Sequence, residues 1–103
     1  AQMHMQGSKL SGTKLEGADL SGARLDNVNF EDAGLQTANL SRANLKGANL
    51  NRADLRGANL RYVVGLTREQ IENSLLDKTT LLPQYLKIKW ATETSFEILD
   101  NKS

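Results

Sequence analysis

Every fifth residue between Met5 and Leu60 is large and apolar: Met5, Leu10, Leu15, Leu20, Leu25, Phe30, Leu35, Leu40, Leu45, Leu50, Leu55 and Leu60. A second series stands two residues before each, from Met3, Ser8 and Thr13 through Ala18, Ala23, Val28 and Ala33 to Ala58. Twelve tandem copies of one unit leave few ways to build a core. On an α-helix, at about 100° per residue, successive leucines would drift by about 140° and bury no stripe. On a flat strand an odd step sends them to opposite faces. A short extended piece followed by a corner in each unit keeps them on one axis. Ala38 and Leu40 then point inward, Asn39 points outward, and Ser41 and Arg42 turn the chain.

The spacing alone does not set the number of sides. The motif A-[DN]-L-x-x, as in Ala18-Asp19-Leu20-Ser21-Gly22, Ala48-Asn49-Leu50 and Ala58-Asn59-Leu60, resembles the pentapeptide-repeat family over about residues 3–62. That resemblance implies an all-β solenoid, a right-handed quadrilateral β-helix of about three turns. Turns of twenty residues would stack about 4.8 Å apart. Met5 then lies under Leu25 and Leu45, and Leu20 under Leu40 and Leu60. Gly7, Gly12, Gly17 and Gly22 mark corners that permit positive φ. Asn27, Asp32, Thr37 and Arg42 replace them in the second turn, where the sequence predicts different corner types.

The pattern ends at Gly65, where a large apolar residue is due. Thr67 reads as an N-cap with Gln70 completing a capping box, and Leu66 can staple onto Ile71. The expected helix runs over about 67–76 and covers the open end of the coil with Ile71, Leu75 and Leu76. The expected organisation is a β-helix over 1–64, a C-terminal α-helical cap over 65–90 and a flexible tail over 91–103. Within 77–90, Leu81, Leu82, Pro83, Tyr85, Leu86, Ile88 and Trp90 carry most of the aromatic surface. They read either as a second layer of the cap or as a partner-binding segment. The alternation in Leu86-Lys87-Ile88-Lys89-Trp90 is that of a strand.

Function is less constrained. The chain has 103 residues, a net charge of +1, one histidine and no cysteine. Thiol chemistry and disulfides are excluded. A Ser-His-Asp triad would depend on His4 at the margin of the coil, and a packed rod offers no deep pocket. No catalytic, cofactor-binding or metal-ligating residues are assigned, and an enzyme is not expected. No apolar run is long enough to span a membrane. The sequence leaves the compartment open between the cytoplasm and, if Ala1 follows a cleaved signal, the periplasm or thylakoid lumen.

Outward positions carry charge that changes by turn. Lys9, Lys14 and Arg24 outnumber Glu16 and Asp19 in the first turn, and Asp26, Glu31 and Asp32 outnumber Arg42 in the second. Lys46, Arg52, Arg56 and Arg61 face only Asp54 in the third. Stacking should set Lys46 over Asp26 and Arg52 over Asp32, either as exposed pairs of small value or as a basic docking band. Candidate partner-binding residues are Lys46, Arg52, Arg56, Arg61, Tyr85 and Trp90.

The expected function is a rigid, non-catalytic scaffold for protein–protein binding. Some members of the resembled family mimic duplex DNA and inhibit type II topoisomerases, which is the alternative. Residues 5–64 hold six acids against eight bases, so the sign is wrong for a mimic. Nucleic acid is not expected as a partner either, with Tyr62 the only aromatic near the bases. The segment from Gly65 to Pro83 is similar to the capping tails of cyanobacterial members. No cap is evident before Met5, which predicts a monomer or a weak homodimer joined through Met3, Met5 and Leu10.

Overall fold

The computed structural model describes residues 3–90 and 96–99. Parallel pairing joins residues twenty apart, and it does so on four sides. The first side stacks His4, Arg24, Asn44 and Val64, and the second stacks Lys9, Asn29 and Asn49. The third stacks Lys14, Gly34 and Asp54, and the fourth Asp19, Asn39 and Asn59. Each central residue uses its own N–H and C=O toward one neighbouring turn, while its flanking residues pair with the other. Asn29 N donates to Ser8 O and Asn29 O accepts from Leu10 N, whereas Phe30 N donates to Asn49 O. That arrangement satisfies almost every backbone group of the middle turn.

The two inward series fill the interior. Leu25, Phe30, Leu35, Leu40, Leu45, Leu55 and Leu60 are fully buried, with Ala38, Ala43, Ala53 and Ala58 between them. Val28 is buried beside Phe30, so the widest pair of the repeat also fits inside. Met5, Leu10 and Leu15 are only half-buried because no turn lies beneath them among the described residues.

All twelve corners share one conformation, contrary to the expectation of a different type in the second turn. A carbonyl accepts from the N–H three residues on, as in Leu15 O from Ala18 N and Leu35 O from Ala38 N. The third residue of each such turn has positive φ, whether it is Gly22 at 69° or Thr37 at 57°. Positive φ at that position alone is the mark of a type II turn. The reason is stacking: Asp32 N donates to Asn51 O and Thr37 N to Arg56 O, so each corner must copy the one above it.

The fold does not stop at Leu60. Val64 pairs with Asn44, and one inserted residue puts Leu66 into the core in place of Gly65. Helix α1, Arg68–Glu72, takes the second side of an irregular fourth turn. Leu75 then pairs with Asp54 and Leu81 with Asn59, which extends the third and fourth sides. α1 is shorter than the expected 67–76. Beyond Asn73 the backbone leaves the helix to serve the ladder: Asn73 O accepts from Arg52 N at 2.6 Å and Leu75 N donates to Ala53 O. Ile71 and Leu76 cover the core, but Leu75, expected on the covering face, is exposed.

Strands β1 (Lys87–Trp90) and β2 (Phe96–Leu99) follow as an antiparallel pair with Trp90 opposite Phe96. Four residues of the expected flexible tail are therefore strand. The rest of that tail, 91–95 and 100–103, lies outside the described residues.

Candidate docking surface

Corner side chains are the outward-facing chemistry of this coil, and local backbone bonding positions them. The central Asn or Asp of most sides accepts from the N–H two residues on, as Asn39 does from Ser41, Asp54 from Arg56 and Asn59 from Arg61. These caps fix where the corner residues leave the coil. Their signal in the sequence is the Asn or Asp of the A-[DN]-L motif itself.

The candidate cations fare differently. Arg52 sits over Asp32, as stacking predicted. Its Nε and Nη2 donate to the two carboxylate oxygens at 2.9 and 3.2 Å, and Nη2 also reaches Glu31 at 2.6 Å. The Arg52 hydrogen bond holds the Asp32 carboxyl below its ordinary range. Arg56 is forked onto Asp54 at 2.8 and 2.5 Å. That bond is the main reason Asp54 is lowered, against the opposing effect of its burial. Lys46 does not pair with Asp26; Arg24 stands 3.5 Å from that carboxylate instead. Lys46 and Arg61 have no ion pair among the described residues. A continuous basic band is therefore absent, since two of its four members are neutralised in place.

Arg61 belongs to a different grouping. Ser21 and Gly22, Ser41 and Arg42, and Arg61 and Tyr62 stack at the corner between the fourth and first sides, a column without an acid. The Arg42 guanidinium lies 5.1 Å from the Tyr62 ring centre, a cation–π separation. Above this corner, a cleft of about 480 Å³ is lined by Arg61, Tyr62, Leu82, Pro83, Gln84 and Tyr85. Tyr85 is anchored there, its hydroxyl donating to Val63 O at 3.1 Å and accepting from Leu66 N at 3.2 Å. Partial burial pushes its phenol upward. Tyr62 is 63% exposed. Arg61 and Tyr85 are both sequence candidates, and the fold brings them together with Tyr62, twenty-three residues from Tyr85. Trp90 is placed by its backbone in β1. Among the described residues no three acids or histidines gather as metal ligands. No helix there is long and apolar enough to cross a membrane.

A family model described as pentapeptide repeats matches eight copies over residues 4–42 and 38–64. Among solved structures, a pentapeptide repeat protein from the cyanobacterium Cyanothece is 30% identical, over 79% of this chain and 63% of that one, with a TM-score of 0.38. HetL, a pentapeptide repeat protein from the cyanobacterium Nostoc involved in heterocyst differentiation regulation, is 26% identical over 81% of this chain and 45% of its own, with a TM-score of 0.43. A thylakoid-lumen pentapeptide repeat protein of Arabidopsis thaliana is 26% identical over 77% and 60%, with a TM-score of 0.33. The chain thus spans less than two thirds of the length of each of these three. No curated protein sequence matches it.

Proposed function

We propose, from the premise that the chain belongs to the pentapeptide-repeat family, that it is a non-catalytic scaffold binding another protein at the Arg42–Arg61–Tyr62 corner. Members of this family fold as right-handed quadrilateral β-helices and are in general structural modules rather than catalysts. The observation that carries the reading is the division among surface cations. Arg52 and Arg56 are occupied by their own acids, while Arg61 faces a cleft with two tyrosines and no carboxylate. Tyr and Arg are the side chains that most often anchor protein interfaces. A DNA-mimic reading loses further ground, because Glu31, Asp32 and Asp54 are spent on arginines.

Affinity capture with the whole chain tests this. Arg61→Glu with Tyr62→Ser should abolish retention of a cellular partner, while Arg52→Gln with Arg56→Gln should leave it. Circular dichroism would establish that both variants stay folded. Retention that follows Arg52 and Arg56 instead would restore the basic band and refute the corner.

A further inference from the structure

The corner column contains an opened hydrogen bond. In the two turns below, the corner N–H groups donate upward, Gly22 N to Ser41 O at 2.8 Å and Arg42 N to Arg61 O at 3.0 Å. Tyr62 holds the same conformation, with φ of 64°, so its N–H points the same way. Where the next corner would supply a carbonyl, the chain instead runs through Leu82, Pro83 and Gln84 along the cleft. Tyr62 N–H has no acceptor among the described residues. The cleft therefore combines an unsatisfied backbone donor, the Arg61 guanidinium and the nearby Arg42. Among the described residues these donors have no acceptor, and they stand beside two aromatic rings and a proline.

Resting on the scaffold reading, we infer that this cleft takes an extended acidic peptide segment of the partner protein. One carboxylate accepts from Tyr62 N–H and from Arg61, and a neighbouring proline or aliphatic residue lies against Pro83 and the tyrosine rings. A guanidinium fork beside an N–H suits a planar carboxylate. The volume is within the roughly 300–1,000 Å³ of clefts that hold compact ligand groups. Single-stranded nucleic acid would also stack on tyrosines. It would, however, need a basic groove tracking several phosphates. Here the cations of the adjoining corners are either neutralised or, like Lys46, one side away.

The test is an amide-resolved NMR titration of the whole chain with three probes. The first is a capped hexapeptide of glycine, glutamate, proline, leucine, glutamate and glycine. The second replaces both glutamates by lysine, and the third is a ten-nucleotide oligothymidylate. The acidic peptide should shift the Tyr62 and Arg61 amides and saturate with a Kd below about 1 mM. Arg61→Gln should weaken it at least about tenfold, a loss of about 1.4 kcal/mol. Arg52→Gln should leave it unchanged. No saturation, equal response to the lysine peptide, or tighter binding of the oligonucleotide would each overturn the inference. If the peptide fails but capture of the partner still depends on Arg61, the peptide class falls and the scaffold survives. Loss of both dependences removes both readings.

Discussion

At the scale of single residues, the corners show where sequence stops being informative. Gly7, Gly12, Gly17 and Gly22 announce a left-handed conformation, but nothing about Thr37, Arg42, Arg52 or Tyr62 does. They adopt it because the ladder above and below leaves no alternative. For a β-branched residue that conformation costs about 1–2 kcal/mol, offset in part by the entropy glycine would lose on folding. Thr37→Gly should therefore stabilise the protein by about 0.5–1 kcal/mol in urea unfolding, despite loss of the Thr37 hydroxyl bond to Gln36 O. A destabilised variant would mean that the corner is held by its side chain rather than by stacking. Gly65 is the opposite case. At φ 78°, an added Cβ would stand 2.7 Å from the Lys46 Cα and 2.8 Å from its N, so Gly65→Ala should cost about 3 kcal/mol or more. Asp54 adds a pH signature. Its native pKa lies below the ordinary value of 3.8 because Arg56 hydrogen-bonds to it. Its stabilisation is present above that ordinary value and is lost as pH falls through the lowered one. Urea midpoints should decline below about pH 4, and Asp54→Asn should flatten that acid limb. An unchanged limb would show that the Asp54–Arg56 pair contributes nothing to folding.

At the scale of elements, α1 is five residues long and too short to persist alone. It exists because one glutamine ties it to the coil. Gln70 Oε1 accepts from Thr67 N at 2.6 Å, and Gln70 Nε2 donates to Leu45 O and Ala48 O at 2.9 Å each. Ala48 O is the counterpart of Ser8 O and Val28 O, which accept from Asn29 N and Asn49 N in the regular turns. A side-chain amide thus replaces the missing ladder donor on the second side. On the third side the Thr80 hydroxyl bonds Leu55 O at 2.8 Å. The capping box was legible in Thr67 and Gln70 because it is local. The end of α1 was not, because competition from ladder groups on Arg52 and Ala53 decides it. β1 was legible because its alternation begins at Leu86 and runs through five residues to Trp90, whereas in Phe96–Leu99 the alternation breaks at the adjacent Ile98 and Leu99 within an otherwise polar stretch. Glutamate serves a capping box as well as glutamine does. Gln70→Glu nevertheless sets a carboxylate against two carbonyls, and should cost about 1–3 kcal/mol and exceed the loss in Gln70→Ala. If glutamate is the milder change, Nε2 does not bridge those carbonyls and the helix is held by Ile71 alone.

At the scale of the whole molecule the two ends of the rod differ, and this sets how it opens and what it touches. At the C-terminal end, Leu66, Ile71 and Leu76 cover the floor of the third turn, while Leu75 and Leu81 extend two of its ladders. At the other end, the N–H and C=O groups of His4, Lys9, Lys14 and Asp19 face away from the coil without partners among the described residues. Met5, Leu10 and Leu15 lie half-buried beside them, and Met3 is 38% exposed. In a solenoid each turn is stabilised by its neighbours, so the turn with one neighbour should open first. Amide exchange should be fastest at Leu10 and Leu15, and slowest at Leu35 and Leu40, whose turn is covered on both sides. An open strand edge beside an apolar floor is also a template for association. The regular repeat made this end legible in sequence, because Met5, Leu10 and Leu15 continue the apolar series with no turn beneath them among the described residues. The chain described here should therefore form a weak homodimer through that floor, visible as a rise in sedimentation coefficient with concentration. Met3→Lys with Met5→Lys should return it to a monomer without loss of fold, since neither residue is fully buried. A parent that stays monomeric at millimolar concentration, or a dimer indifferent to both lysines, would place any self-contact elsewhere and leave this edge simply solvated.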